Sequence, residues 1–241
     1  METTIEVKTR RPRRSKADIE AAIQKAAISQ IRKKGFAGAL VTDIVKKAKI
    51  EPIVFYNRFK NLEEFYDSFV KRYDYWISSL ARTVNPQFTS ESDYARAMAK
   101  LFEALLADGM MVELLRWEVA DGTPITQRTA TLRELDFVSI ISTCAERFPG
   151  EDVDCVAVSA LVVAGIYFMI LHKDRSTFGG IDINTDEGRE RVQSVFKQLG
   201  RMMFSDVKAQ RRRQKLRECL SREGMSAEAI ERCLKEIDEE K

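Results

Sequence analysis

The chain has 241 residues, 40 of them Lys or Arg and 37 Asp or Glu, which is long enough to bury a full core without covalent or metal staples. Cys144, Cys155, Cys219 and Cys233 show no C-x-x-C spacing and His172 is the only histidine. That pattern argues against a zinc site or a disulfide framework and fits a reducing cytoplasm. Residues 1–16 are polar and basic, unlike the apolar core of a secretory leader.

The small net charge of +3 conceals an asymmetry. Residues 1–60 hold 15 Lys and Arg against 6 Asp and Glu, a net +9, which leaves −6 for the remainder. A basic head on an acidic body points toward nucleic acid once a binding motif accompanies it, and otherwise toward no more than a solvated basic tail. Residues 1–14 lack apolar periodicity and carry Lys8, Arg10, Arg11, Arg13 and Arg14. They are expected to form a basic arm without regular structure, suited to phosphates or to a minor groove. Ser15 with Asp18 three residues on is a capping-box pattern, and Ile19, Ile23, Ala26, Ala27 and Ile31 trace a helical stripe that ends at Gly35. Phe36 and Leu40 are expected to close a three-helix core.

The segment from Thr42 to Glu64 is the most informative. Thr42 is expected as the N-cap of a helix with Ile44, Val45 and Ala48 on one face, followed by a turn at Lys49–Glu51. Pro52 suits the first position of a second helix, and Phe55 and Phe59 give it an inward face. Tyr56, Asn57, Arg58 and Lys60 are left on its outer side. Asn61 with Glu64 opens a third helix. Helix, tight turn and helix with polar, basic groups outward is the layout of a helix-turn-helix that seats its second helix in the DNA major groove.

These residues resemble the TetR family of bacterial transcriptional regulators. The family pattern has a Thr at the start of its second helix, an Ala-Gly-Val-Ser-like turn, and an aromatic-Tyr-x-x-Phe-Lys run before an acidic pair. Here stand Thr42, Ala48-Lys49-Ile50-Glu51, and Phe55-Tyr56-Asn57-Arg58-Phe59-Lys60 before Glu63-Glu64. Lys49 replaces the usual Gly, Glu51 the usual Ser, and Ile53 and Val54 stand where small or hydroxylated residues are common. The resemblance implies phosphate contacts from Thr42, Tyr56 and Lys60. Beside these, Asn57 and Lys49 are candidates for base or backbone contacts and Arg58 for either kind, while the basic arm with Arg10, Arg11, Arg13 and Arg14 is suited to add to the interface. Lys46 and Lys47 are as readily solvated as bound; for Tyr56 the alternative, a packed core tyrosine, is disfavoured because Phe55 and Phe59 already occupy the inward face.

Beyond the head, Leu62, Phe65, Tyr66, Phe69, Tyr73, Trp76, Ile77 and Leu80 predict one long amphipathic helix as far as Asn85-Pro86. Ser90 with Asp93 opens the body, followed by helices over Met110–Val119 and Thr126–Phe148. No strand alternation occurs, so the fold class is all-α. The 17 residues Cys155–Leu171 carry no charge. Their length sits at the lower limit for a membrane span, but Ala157, Ala160, Ala164 and Gly165 permit close packing, and the preferred reading is a buried interface helix. A helix starting at Thr185 or Asp186, with Val192, Val195, Phe196, Leu199, Met202, Met203 and Phe204, resembles the last family helix. With its predecessor it is expected to form a four-helix homodimer interface that presents two heads to a palindrome-like operator. Residues 208–241 extend past the usual family end and read as a helical hairpin capped at Ser226, with Arg211–Arg213 on a solvated face. The expected domains are thus the arm at 1–14, the DNA-binding head at 15–60, a regulatory body at 61–207 and the hairpin at 208–241.

Family logic further implies an effector pocket in the body. Phe102, Leu106, Met110, Met111, Leu114, Trp117 and Tyr167 are the candidate walls, with Glu113 or Arg116 as a polar anchor, and the methionines favour an apolar or amphipathic effector. No phosphate-loop, dinucleotide-fold or H-E-x-x-H motif is present, so neither cofactor, metal nor catalysis is expected. The expected function is a DNA-binding transcriptional regulator, a repressor released by a small molecule. A TetR-like protein that answers a protein partner or organises DNA without inducer is the alternative, and an unrecognised enzyme the remaining one.

Overall fold

A computed structural model describes residues 14–83, 90–147 and 154–239, with backbone alone at 144–147, 205–211 and 234–239. Eleven α-helices and no β-strand occur among the described residues. The chain divides into two compact units. Unit 1 runs up to Asp74 and takes in Gly109–Thr129; unit 2 consists of Tyr75–Asp108 and the chain from Ala130.

Unit 1 begins with α1 (Lys16–Gly38). Ser15 and Asp18 form the expected capping box, and the regular helix breaks at Gly35, where φ is +72°. Only glycine adopts that left-handed conformation freely, and the chain turns there into one more helical turn carrying Phe36. Two short helices follow, α2 (Val41–Ala48) and α3 (Pro52–Tyr56), then α4 (Leu62–Val70). The N-cap of α2 is Leu40 rather than Thr42, and no side chain caps it. Thr42 lies inside the first turn and is exposed. Leu40 is itself 54% exposed instead of core, because the capping position leaves its side chain outside the helix.

The long helix expected from Asn61 onward is interrupted. After α4 comes a single 3-10 turn at Lys71–Tyr73, and α5 (Trp76–Ala81) starts anew within unit 2. Tyr73-Asp74-Tyr75-Trp76 is a run of residues with weak helix propensity, so amphipathic spacing alone does not sustain the helix there.

The core of unit 1 is aromatic. Phe55, Phe59, Phe65 and Phe69 stand in a chain of contacts with centroids 5.1–5.7 Å apart. Phe36 stacks on Trp117 of α7 (Gly109–Ala120) at 4.5 Å and 10°, and Tyr66 meets both rings edge-on. The Tyr66 hydroxyl donates between the carbonyl oxygens of Phe36 and Ala39, at 3.0 and 2.8 Å. Burial pushes its pKa well up. Those two carbonyls belong to the chain just after the Gly35 break and have lost helical partners, so the phenol takes their place. The start of α8 (Pro124–Arg147) completes the unit: Arg128 is paired with Asp67 of α4 and stands 3.6 Å from Asp74.

Unit 2 is built on α6 (Glu91–Ala107) packed against α10 (Asp186–Arg222), with α9 (Cys155–His172) and the rest of α8 alongside. Ser90 and Asp93 form the expected capping box. α6 and α10 approach closely at Gly200, where a Cβ would stand 2.7 Å from the carbonyl oxygen of Glu91. Phe102 and Phe196 meet edge-on near by. α10 does not stop near Phe204 but continues without interruption to Arg222. It turns at Gly224 (φ +81°) into α11 (Ala227–Glu239), whose first turn is capped by Ser226, and Glu231 pairs with Arg213 and Arg217.

Candidate nucleic-acid interface and effector region

The turn between α2 and α3 is set by Lys49, which adopts φ 54°, ψ 52°. Its N–H reaches Lys46 O at 3.3 Å, and Ile50 N–H reaches Val45 O at 3.2 Å, the paired bonds of a Schellman ending. Lys49 is the only non-glycine with positive φ among the described residues. A side chain in that conformation costs about 1–2 kcal/mol.

α3 itself is only five residues long, but Asn57 N–H to Ile53 O and Phe59 N–H to Phe55 O carry helical bonding one turn further. Phe55 is fully buried and fixes which way this segment faces. The opposite side then presents Ile53, Tyr56, Asn57 and Lys60, spaced i, i+3, i+4 and i+7 and all exposed. Tyr56 is 49% exposed, which removes the packed-core alternative. Arg58 points elsewhere: its Nη1 donates to Val54 O at 2.7 Å, closing the end of its own helix. Lys49 and Thr42 are exposed on the turn and on α2.

Ile53, 63% exposed, was not among the residues expected at this surface. Its place one turn before Tyr56 and Asn57 was the available signal. An exposed apolar side chain on such a stripe matches the C5-methyl of thymine.

Charge around the stripe is partly committed. Lys34 pairs with Asp43 at 2.7 Å, and that bond, more than burial opposes it, holds the Asp43 carboxyl below its ordinary pKa. Lys46, Lys47, Lys49 and Lys60 are exposed. Arg14 donates to Ala48 O at 3.0 Å and so ties the root of the arm to the C-terminus of α2. Arg10, Arg11 and Arg13 lie outside the described residues.

The candidate effector residues fall into two groups. Met110, Met111, Leu114 and Trp117 are buried in unit 1, where Trp117 is stacked on Phe36, and Glu113 is ion-paired to Arg116 on the same helix. Phe102, Leu106 and Tyr167 belong to unit 2. There Phe102 is fully buried, and Tyr167 is hydrogen-bonded to Arg133, a residue that periodicity gave no reason to single out. In unit 2, α5, α6 and α8 also enclose a narrow cleft of about 50 Å³ with almost wholly apolar walls.

No family model matches the sequence, and no curated protein is similar enough in sequence to be matched. The fold is matched by solved structures. The transcriptional regulator FadR from Bacillus subtilis, in complex with stearoyl-CoA, aligns with a TM-score of 0.55 and 17% identity over 73% of this chain and 97% of its own. A member of the TetR transcriptional regulator family from Streptomyces coelicolor A3 aligns at 0.53 and 17% identity, over 74% and 88%. GusR from Salmonella enterica aligns at 0.51 and 14% identity, over 77% and 97%. The chain has the all-α fold of TetR-type transcriptional regulators.

Proposed function

We propose that this protein is a sequence-specific DNA-binding regulator, a repressor whose operator affinity is lowered by a small apolar or amphipathic effector. The observation that carries the reading is the exposed stripe Ile53, Tyr56, Asn57 and Lys60 on a segment anchored by buried Phe55, in a fold shared with transcriptional regulators. In the complex, Thr42, Tyr56 and Lys60 hold phosphates, Asn57 and Ile53 meet base edges, and Lys49 adds charge at the turn. Arg58 serves as a cap for α3 and takes no part in base reading.

The working species is a homodimer in the cytoplasm, built on α9 and α10. On α9 the positions Cys155, Ser159, Val163, Ile166 and Ile170 are buried, while Leu161 and Phe168, seven residues apart, are 74% and 48% exposed. On α10, Val195 and Met202, also seven apart, are 46% and 62% exposed. Seven residues are two helical turns, so each pair marks one apolar stripe, and a second copy is the natural cover for both. α9 is also long and apolar enough to cross a membrane; its one buried stripe favours the dimer over a bilayer.

The effector is assigned to unit 2, because the unit 1 candidates are already packed on one another. A fold neighbour solved with stearoyl-CoA supports an amphipathic ligand. Selection of duplexes from random DNA by the full chain tests the reading: it should yield a two-fold site with half-sites about 34–36 Å apart or a multiple of that spacing. A chain that enriches no sequence and binds no duplex at low salt is not such a regulator.

A further inference from the structure

α10 runs on past the start of α6, where Glu91 lies against Gly200. Its residues 208–222 hold seven Lys and Arg against one carboxylate, Glu218. Two of the seven, Arg213 and Arg217, pair with Glu231 of α11. The other five, Lys208, Arg211, Arg212, Lys215 and Arg222, belong by helical register to another side of the rod. At about 100° per residue, these five together with Lys197 and Arg201 fall in one sector about 100° wide and follow it for about 37 Å. Between Lys197 and Arg222 the sector otherwise holds only Phe204, which is buried, and Cys219, so no Asp or Glu falls in it. Glu218, at its edge, accepts from Gln214 at 3.0 Å.

Lys197, Arg201, Arg212, Lys215 and Arg222 are exposed, and none of them is ion-paired among the described residues. Glu91 shares a shallow cleft with Lys197 and Arg201, so the positive field is strongest from residue 208 onward. Lys197 with Arg201, Lys208 with Arg212 and Arg211 with Lys215 are like charges four residues apart, a spacing that destabilises a helix. Folding therefore gives no reason for the row, whereas an anionic partner does. We propose that this side of α10 is a second duplex-DNA contact, in unit 2, which holds phosphates without reading bases. The inference goes beyond the regulator reading and does not depend on the helix-turn-helix.

The chemistry of the row selects the partner. Guanidinium and ammonium groups suit phosphate oxygens, and a contact made of charge alone carries no sequence information. The sector has no aromatic residue outside buried Phe204 on which unpaired bases could stack, which sets single strands aside. It exposes no large apolar side chain, whereas a helix lying on a membrane buries an apolar face beside its basic one. Its length of about 37 Å matches about one turn of duplex, roughly 34–36 Å. The row also stays open in the proposed dimer, because its midline lies about 140° around α10 from Val195 and Met202.

The test titrates the full chain with a duplex of random sequence at several salt concentrations. Arg212→Ala, Lys215→Ala and Arg222→Ala are combined in one variant, which exposed positions and the helix propensity of alanine should leave folded. It should bind at least about tenfold more weakly at low salt, with a slope of log affinity against log salt smaller by about 2.7, or 0.9 for each contact. The charge-conserving set Arg212→Lys, Lys215→Arg and Arg222→Lys should keep the slope. An unchanged slope in the alanine set, or an equal loss in the conserving set, overturns the proposal. So does binding to phosphatidylserine vesicles or to polyglutamate that needs the row while duplex binding does not. Lys49→Ala with Lys60→Ala, made alone and together with the alanine set, separates this contact from the head. If the row matters and the head pair does not, the head assignment fails and this inference stands; if only the head pair matters, the reverse holds.

Discussion

Lys49 places a conformational cost and a candidate DNA contact in one residue, and two substitutions separate them. Its φ of 54° costs a side-chain-bearing residue about 1–2 kcal/mol. Glycine removes that cost but loses about 0.5–1 kcal/mol more conformational freedom on folding. Lys49→Gly should therefore stabilise the protein by roughly 0.5–1 kcal/mol, about 2 °C in melting temperature for a chain of this size. Lys49→Ala keeps the left-handed strain and removes the charge, so it should melt close to the unchanged protein. On DNA the two variants should behave alike: each loses one phosphate partner, and the slope of log affinity against log salt should shrink by about 0.9. Urea titration and mobility shifts at several salt concentrations give both readouts. If Lys49→Gly is no more stable than Lys49→Ala, the strain assigned to the turn is wrong. If neither variant moves the salt slope, Lys49 does not touch phosphate.

Other outcomes follow from particular contacts. Lys60→Ala should weaken binding on every duplex alike with a slope smaller by about one, whereas Tyr56→Phe should cost roughly 1 kcal/mol with little change of slope; the reverse pattern in salt titrations would exchange their assigned roles. Gly165 on α9 has open space where a Cβ would go, so Gly165→Arg should leave the monomer's circular dichroism unchanged and abolish the dimer in light scattering; a dimer that persists refutes the proposed seam. Gly200→Ala puts a Cβ 2.7 Å from the Glu91 carbonyl oxygen and should cost about 1–3 kcal/mol in chemical denaturation, which a neutral result would contradict. Asp67 is hydrogen-bonded to Lys71 and Arg128, which hold its pKa below the ordinary 3.8. Its contribution to stability is in place above that value and is lost as pH falls through the lower folded value. Asp74, raised by burial, acts with the opposite sign, so Asp67→Asn but not Asp74→Asn should flatten the acid limb of a stability–pH curve.

Helix positions were legible wherever one local rule sufficed. Ser15 with Asp18, Ser90 with Asp93 and Thr185 at the start of α10 are decided within one turn of chain, and the structure has all three caps. The inward face of the second helix followed from Phe55 in the same way. What sequence could not supply were choices made by distant partners. Thr42 is an able cap, yet Leu40 holds the capping position. The stripe from Leu62 to Leu80 has helical spacing throughout, but the chain breaks at Lys71–Tyr75 and changes compact unit. Trp117 and the neighbouring methionines have the composition of a pocket wall, and only the stacked Phe36 ring reveals a filled core. Arg133 carries no local signature, since its burial and its hydrogen bond with Tyr167 are set by the packing of α8 and α9.

The continuity of α10 bears on how the C-terminal hairpin tolerates change. Its 37 residues from Asp186 to Arg222 form a rod about 55 Å long with no hinge. The hairpin's rotational phase is therefore locked to the segment that packs on α6. One residue inserted past Phe204 would swing α11 about 100° around the rod, whereas seven would restore its bearing to within about 20° and carry it roughly 10 Å outward. Any task that depends on the direction α11 faces should survive the second insertion and fail with the first.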